Sequence, residues 1–232
     1  MYKYETHLHT SPVSLCAKAS VRENVEFYKK LGYDGIFITN HFLDGNTSVS
    51  KDLPYEEQIR IFFEDVEEGR KIGKEIGIKV FSGVEMSYGG TDFLIYGLEK
   101  EWYIEHPEIL KMTKREELAY LRENGAFIVQ AHPYREASYI DHIRLFPRSV
   151  HAVEVYNASM KEEAMNVIAE YYAEHYGLMK TAGSDNHTGA RKKSLAGVET
   201  ETPIVDEQDF IERVQTGNVN IFTMKNPLIE ED

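Results

Sequence analysis

Histidines and carboxylates recur in this 232-residue sequence directly after short apolar runs rich in β-branched residues. The set comprises His7, His9, His41, Glu85, His132, Asp185 and His187. Side chains two positions apart on a strand point the same way, so His7 and His9 can bind one ion together. Imidazole with carboxylate is the donor set of Zn, Mn or Fe rather than of Ca or a simple Mg site. The pattern predicts a metal site, and the number of candidate ligands indicates more than one ion.

The segments between these residues alternate between helix and strand patterns. Ser20 and Glu23 form a capping-box pattern that predicts a helix as far as Leu31, which Gly32 ends. Further helices are predicted over 54–76, 113–124, 160–176 and 206–215, and strands over 2–6, 36–39, 78–82, 126–131, 151–156, 178–182 and 219–223. Residues 93–96 fit either an extra strand or a hairpin partner. Repeated βα units predict an α/β fold in which the carboxyl ends of parallel strands converge, and the candidate ligands follow such strands.

Length and composition limit the class of protein. With 42% hydrophobic and 28% charged residues the chain is typical of a globular protein, and its length predicts a single domain over 1–232. No apolar run reaches the roughly 18 residues of a membrane span, and the first residues lack the basic and apolar regions of a signal peptide. Cys16 is the single cysteine, which excludes an internal disulfide. A cytoplasmic location without a membrane partner is expected.

The net charge of −13 argues against a long nucleic acid as partner, since binding its backbone needs many lysines and arginines on one face. Short oligonucleotides stay open as substrates. A small phosphorylated substrate is compatible with the acidic chain because bound cations would reverse the local potential. Nothing in the sequence indicates the oligomeric state.

Each candidate ligand also has an ordinary structural explanation. A single histidine at a strand end, such as His41 or His132, is more often a partly buried residue bonded to a backbone carbonyl. Glu85 could face solvent, and residues 183–187 are turn formers. The shared position of these residues relative to successive strands favours the metal site over the alternatives.

Six motifs together resemble those of the polymerase and histidinol phosphatase (PHP) superfamily of metal-dependent phosphoesterases, and they occur in that family's order. They are His7-Leu8-His9-Thr10, Ile38-Thr39-Asn40-His41, Gly83-Val84-Glu85, Ala131-His132-Pro133, Glu154-Val155-Tyr156-Asn157 and Gly183-Ser184-Asp185-Asn186-His187. The resemblance implies a distorted (β/α)7 barrel with two or three divalent ions, of Zn, Mn or Fe, at the carboxyl ends of its strands.

The resemblance also implies how the ligands divide among the ions. His7, His9, Glu85 and Asp185 would hold one ion, and Glu85 would bridge to a second ion that His132 also binds. His41 and His187 would belong to a third position. Asp185 and His187 are predicted to act in catalysis as well.

The sequence departs from the family pattern at three places. Cys16 is the only soft ligand in a stretch where many relatives carry Asp or His, although a buried apolar cysteine explains it almost as well. Asn40 stands where an aspartate is common, which removes one charge. A further histidine of the second ion is missing, and either Asp92 or Glu99 could replace it, with Glu99 slightly favoured. The occupancy of the third position is left open.

Two ions about 3.5–4 Å apart can share a hydroxide and stabilise the charge that develops on phosphorus. The predicted reaction is therefore in-line hydrolysis of a small phosphomonoester or nucleotide by a metal-bound hydroxide, without a phosphoenzyme. Arg135 suits a forked contact with phosphate oxygens, as a catalytic and substrate-binding residue, unless it is a surface arginine paired with Glu136 or Asp141. Arg191 is a weaker candidate for substrate binding.

Two further residues and two further functions stay open. Glu154 and Asn157 either orient the metal ligands or cap the following helix. The alternative functions are an amidohydrolase-type metal hydrolase and a nonenzymatic, metal-stabilised binding domain. An amidohydrolase usually has a metal-bridging lysine where this sequence has Glu85, and the complete ligand set argues against a nonenzymatic remnant.

Overall fold

The computed structural model describes residues 1–229, so residues 230–232 of the predicted domain lie outside the described part. Its strands are β1 (Tyr2–Leu8), β2 (Gly35–Ile38), β3 (Lys79–Ser82), β4 (Val84–Tyr88), β5 (Thr91–Tyr96), β6 (Phe127–Ala131), β7 (Ala152–Asn157), β8 (Met179–Gly183), β9 (Ser194–Thr200) and β10 (Asn220–Lys225). Its α-helices are α1 (Val21–Lys30), α2 (Tyr55–Ile76), α3 (Lys100–Glu105), α4 (Lys114–Glu123), α5 (Glu163–Tyr176) and α6 (Glu207–Gln215). The predicted α/β class is confirmed.

The helices begin and end where local chemistry predicts. Ser20 accepts the backbone N–H of Glu23, whose carboxylate accepts the Ser20 N–H in return, so the predicted capping box starts α1. Thr113 and Glu116 repeat this arrangement at the start of α4. Helix α2 ends at Gly77, whose φ of 78° is easily reached only by a residue without Cβ.

The strands form two five-stranded mixed sheets, in the orders β10-β9-β1-β2-β3 and β4-β5-β6-β7-β8. Strands β1, β2 and β3 are parallel, as are β6, β7 and β8, whereas β4, β5 and β6 pair antiparallel. The segment 93–96 therefore belongs to a hairpin strand. Strand β9 was not among the predicted strands, and it pairs antiparallel with both β1 and β10. The ladders of the described residues do not form the closed seven-stranded barrel that the resemblance implies.

The two sheets approach each other at two places beside the candidate ligands. Gly83 separates β3 from β4, and its N–H donates to the carbonyl of Ile38 at 3.0 Å. A Cβ on Gly83 would lie 2.8 Å from Thr39 Cγ2, so only glycine lets the chain pass there. At the other place, Asn186 accepts the N–H of His9 at 3.1 Å. The carboxyl ends of β1, β2, β6 and β8 therefore lie around one point.

An aromatic cluster packs between the sheets and α6. The ring of Phe37 stacks on Phe81 at 4.7 Å and meets Phe210 at 4.5 Å. Tyr96 packs edge-on against both Phe37 and Phe210, and its hydroxyl donates to the carbonyl of Thr6 at 2.7 Å. Each such buried side chain contributes about 1.5–3 kcal/mol of transfer free energy. The cluster thus supports strand β1 just before its metal-ligand candidates.

Within residues 1–229, no helix has both the length and the apolar character to cross a membrane.

Candidate metal centre

Strand β1 carries His7 into a buried cluster, and His9 follows directly after the strand. The Nε2 atoms of His7 and His9 lie 3.2 Å apart, as expected for residues on one side of an extended chain. His7 Nε2 lies 3.1 Å from Glu85 Oε1 and 3.5 Å from Asp185 Oδ1. His9 Nε2 lies 3.4 Å from the same aspartate oxygen. Two histidines and two carboxylates from both sheets therefore meet within ligand distance of a common point.

Glu85 lies between this group and two further histidines. Its Oε1 lies 3.4 Å from His132 Nε2, and its Oε2 lies 2.7 Å from His41 Nδ1. The imidazoles of His9 and His187 stack at 4.1 Å, and those of His9 and His41 are 4.3 Å apart. The donor atoms form three groups, and within each group all atoms lie within 4.8 Å of one another. The groups are His7 with Glu85 and His132, His7 with His9 and Asp185, and His9 with His41 and His187. The structure thus brings together all seven residues of the predicted cluster.

Several buried atoms of the cluster form no hydrogen bond of good geometry among the described residues, although some lie close together, as His41 Nδ1 and Glu85 Oε2 do at 2.7 Å. These are His41 Nδ1, both carboxylate oxygens of Glu85, His132 Nε2 and Asp185 Oδ1. A buried polar atom without a partner costs about 1–3 kcal/mol. Because these atoms are nitrogen and oxygen donors that surround one place, divalent cations fit them well.

Hydrogen bonds on the outer side of three histidines leave Nε2 free to bind a cation. The Nδ1 of His7 donates to Glu154 Oε1 at 2.9 Å, and the Nδ1 of His187 donates to the carbonyl of Asp185 at 3.1 Å. The Nδ1 of His9 lies 3.0 Å from Ser14 Oγ, whose own proton is donated to Asn40. This network places the proton on Nδ1 and the lone pair on Nε2.

The electrostatics of the cluster also call for positive charge. Burial disfavours a charged His7, but the carboxylates of Glu154, Asp185 and Glu85 outweigh burial and raise its pKa well above the usual value. Burial would raise the pKa values of Glu85 and Asp185, yet the surrounding histidines hold both well below the ordinary carboxyl range. Protons or metal ions can supply the charge that these buried carboxylates require.

Two candidate ligands have a strained backbone. His132 has a φ of 27° and Asp185 a φ of 50°, a region that L-residues rarely adopt. Such conformations cost on the order of 1–3 kcal/mol and persist where surrounding contacts determine them. For His132 one such contact is its N–H, which donates to Glu154 Oε2 at 3.0 Å. Both residues place their side chains in the cluster from these backbone conformations.

Glu154 and Asn157 support the cluster from the outside. Glu154 contacts His7 and His132 through separate oxygens, and Asn157 Nδ2 donates to Glu154 Oε2 at 2.9 Å. Asn157 also accepts the N–H of Ser159 at 2.8 Å, as a residue that organises the following turn does. The pair was predicted either to orient the metal ligands or to cap the following helix, and the contacts of Glu154 with His7 and His132 favour the first role.

Arg135 contacts the carboxylates of the cluster. Its Nη2 lies 2.9 Å from Asp92 Oδ2, and its Nη1 lies 3.6 Å from Asp185 Oδ2. Neither Glu136 nor Asp141 forms an ion pair with it among residues 1–229; Asp141 pairs with Arg144 at 3.0 Å instead. Arg135 therefore lies beside the cluster and is not the surface arginine paired with Glu136 or Asp141.

Asp92, rather than Glu99, lies beside the predicted second-ion ligand. Asp92 Oδ2 is 3.8 Å from His132 Nε2, and burial raises the pKa of the Asp92 carboxyl. Glu99 follows the opposite end of β5, where its half-exposed carboxylate lies 3.5 Å from Arg70. The reason is direction: β5 runs antiparallel to β6, so it starts at the cluster and ends away from it. The structure does not bring Glu99 to the other ligands.

Cys16 joins the outer part of the cluster, whereas Arg191 does not reach it. Burial would raise the pKa of the Cys16 thiol, but hydrogen bonds with His187 and His41 lower it to about 6. A thiol in this setting resembles a ligand more than an apolar core residue. Arg191 is exposed, and its positive charge helps to lower the pKa of Glu23 on α1, away from the cluster.

Two buried carboxylates of the site were missed in the sequence. Glu5 accepts the N–H of His7 at 2.9 Å and that of Ser184 at 2.8 Å, so it joins the two main ligand segments. Glu5 lies two positions before His7 on the same strand, so the alternation of a strand already predicts that its side chain points to the same side as His7 and His9. Asp65 on α2 accepts bonds from Thr10 and Asn40, and nothing in its helical surroundings distinguishes it from the other acidic residues there.

No protein-family model matches the sequence. No curated protein matches it either. Solved structures do resemble it. A two-domain protein from Bacteroides vulgatus that contains a predicted PHP-like metal-dependent phosphoesterase superposes with a TM-score of 0.71 at 15% identity, over 95% of this chain and 64% of that one. This chain thus spans about two thirds of the length of that neighbour.

Two other neighbours match over nearly their full length. A putative metal-dependent phosphoesterase from Bifidobacterium adolescentis has a TM-score of 0.58 at 15% identity, over 91% of this chain and 95% of that one. An amidohydrolase from Chromobacterium violaceum, solved with sulfate and no metal, has a TM-score of 0.58 at 13% identity, over 94% and 97%. The resemblance inferred from the motifs is confirmed at the level of the fold, which this chain shares with PHP-like metal-dependent phosphoesterases.

Proposed function

We propose that the chain is a PHP-type metal-dependent phosphoesterase that hydrolyses a small phosphomonoester or nucleotide. The observation that carries the proposal is the buried cluster of histidine and carboxylate donor atoms that surround one place, several of them without a hydrogen bond of good geometry. The fold neighbours described as phosphoesterases support it. We also infer that the two sheets, with their contacts at Gly83 and Asn186, correspond to the distorted barrel of that family.

The proposed cofactors are two or three divalent ions of Zn, Mn or Fe. His7, His9, Glu85 and Asp185 would hold the first, Glu85 and His132 the second, and His41 and His187 the third, with Cys16 beside them. When bound, such ions polarise phosphoryl oxygens and activate water near neutral pH. The contacts of Asp92 make it a better candidate than Glu99 for the second ion.

The side chains of the chain itself would bind and orient the substrate. Arg135 is proposed to hold nonbridging phosphate oxygens through its guanidinium, while Asp92 keeps that group aimed at the cluster. Asp185 and His187 are proposed as catalytic residues because Arg135 contacts Asp185 and the His187 imidazole is partly exposed. Substrate binding by Arg191 stays a prediction.

Metal analysis of the purified protein, combined with a panel of phosphoesters, tests the proposal. We expect two or three equivalents of metal and release of phosphate by the wild type, and loss of both in His9→Ala, which removes a ligand from two donor groups. A folded wild type that binds no metal and releases no phosphate would contradict the proposal and favour the nonenzymatic binding domain.

The second candidate function is an amidohydrolase-type reaction, favoured by the similarity to the Chromobacterium violaceum structure. Adding amide and carboxylic ester substrates to the panel separates the two functions. Hydrolysis of amides without hydrolysis of phosphoesters would replace the first proposal by the second.

A further inference from the structure

Lys192 is a cation near the metal centre that the proposed function does not use. It directly follows the short 3-10 helix Gly189–Arg191, and its side chain is half-buried. Among the described residues, no carboxylate oxygen lies within 4.0 Å of Lys192 Nζ, the distance at which the two would form an ion pair. Burial lowers the pKa of Lys192, and the charges of Asp185, Glu5 and Glu154 oppose this only in part. A half-buried ammonium without a counterion is costly unless an anion comes to it.

The ammonium group is directed at the loop that carries the catalytic candidates. Lys192 Nζ donates to Ser159 Oγ, and Ser159 Oγ lies 2.9 Å from the carbonyl oxygen of Asp185, to which it donates. Arg135 approaches the same aspartate from its carboxylate side. Arg135 therefore contacts Asp185 directly, whereas Lys192 is linked to its backbone carbonyl through the Ser159 hydroxyl.

The backbone that presents Lys192 is held in place by one buried residue. Asn226 Nδ2 donates to the carbonyls of Ala190 and Lys192, both at 2.9 Å, and the N–H of Asn226 donates to Lys193 at 2.8 Å. These hydrogen bonds fix the backbone of Lys192 and therefore the position of its Cα and Cβ atoms. A lysine positioned in this way loses less entropy when it binds a ligand than one on a mobile surface segment.

The charge balance of the two cations points to an anionic ligand. Arg135 already faces Asp92 and Asp185, whereas Lys192 faces a neutral hydroxyl. A phosphate group has several nonbridging oxygens, so it can accept from both cations at once. We propose that Lys192 is a second substrate-binding residue, which donates to one nonbridging oxygen of the substrate's phosphate while Arg135 binds another. This inference rests on the proposed function.

The test uses the metal-loaded full chain with Lys192→Met. We expect KM for a hydrolysed phosphomonoester and Kd for inorganic phosphate both to rise about 10- to 100-fold, since one hydrogen bond from a charged group is lost. Metal content should not change, and Lys192→Arg should recover most of the affinity. The matched control is Lys193→Met, an exposed lysine one residue further, which should alter neither constant by more than about twofold.

Ser159→Ala separates binding from a merely structural role. If Lys192 only anchors the chain through this hydroxyl, Ser159→Ala must weaken phosphate binding as much as Lys192→Met, and that result would overturn the inference. Unchanged KM and Kd in Lys192→Met would overturn it as well. A wild type that releases no phosphate but binds it refutes the proposed function alone, because the phosphate titration still decides the role of Lys192. A wild type that does neither refutes both.

Discussion

At the scale of single residues, one buried carboxylate supports two of the proposed metal ligands. Glu154 accepts from the Nδ1 of His7 with one oxygen and from the N–H of His132 with the other. The first bond selects the His7 tautomer whose Nε2 can bind a cation, and the second contributes to the strained backbone of His132. A residue that binds no metal itself thereby controls the geometry of two residues that are proposed to do so.

We predict that Glu154→Gln weakens metal affinity by about 10- to 100-fold, the effect typical of a lost partner of a ligating histidine. Glutamine has nearly the same shape, but its single acceptor oxygen cannot accept from both His7 and His132. Competition with a chromogenic chelator measures the change. Glu163→Gln, at an exposed position at the start of α5, is the control and should bind metal as the wild type does. Equal affinity in both variants would contradict the role given to Glu154.

At the scale of elements, the close approach of β8 to β1 brings the ligands of the two sheets together. Gly183 ends β8, and a Cβ there would lie 2.4 Å from the Cβ of His7 and 2.7 Å from Glu154 Oε1. The Cβ of His7 is fixed by its own backbone, and Glu154 Oε1 is held by its hydrogen bond with His7 Nδ1, so neither atom can move away easily. The close packing of β8 against the proposed ligand His7 therefore requires a residue without a side chain at this position.

Gly183→Ala should destabilise the fold by about 1–3 kcal/mol, as overpacking of a close contact usually does. Urea denaturation of the metal-free protein measures the loss. The same variant should bind metal more weakly because His7 must shift. Gly217→Ala serves for comparison, since the added Cβ there meets nothing within 4 Å and only the φ of 71° is unfavourable. If Gly183→Ala retains wild-type metal affinity, the close approach is not needed for the site.

At the scale of the whole molecule, the proposed ions would join the two sheets. His7 and His9 extend from the first sheet, while Glu85, His132 and Asp185 belong to or follow strands of the second. Without metal ions, protonated histidines such as His7 must supply the positive charge that compensates the buried carboxylates of Glu85 and Asp185. Metal binding and the stability of the whole fold are therefore expected to be coupled.

We predict that a chelator lowers the thermal midpoint of the wild type. Free metal at 100 times its Kd adds about 2.7 kcal/mol to the free energy of unfolding for each site, and removing it reverses this gain. Differential scanning calorimetry with and without chelator measures the shift. His9→Ala should show a much smaller shift because it has lost a ligand of two donor groups. A midpoint that does not respond to the chelator would separate metal binding from stability.

Local patterns in the sequence predicted the seven residues of the cluster and most of the elements, although not β4, β9 or α3. The capping boxes at Ser20 and Thr113 depend on residues three positions apart, and the shared direction of His7 and His9 follows from the period of a strand. The repeated placement of polar residues after apolar strands predicted which side chains converge. These features could be read because their causes lie within a few residues along the chain.

Only the tertiary structure decided the pairing of strands and the outer contacts of the site. The antiparallel course of β5 places Asp92 at the cluster and carries Glu99 away from it, and no local pattern reports strand direction. The bond from Ser184 to Glu5 spans 179 positions, and that from Asn40 to Asp65 spans 25. The sequence by itself determined which candidate ligands the chain offers, because ligand chemistry and local periodicity belong to short segments. How those ligands are held, charged and joined between two sheets depends on contacts between distant segments, which form only when the whole chain is folded.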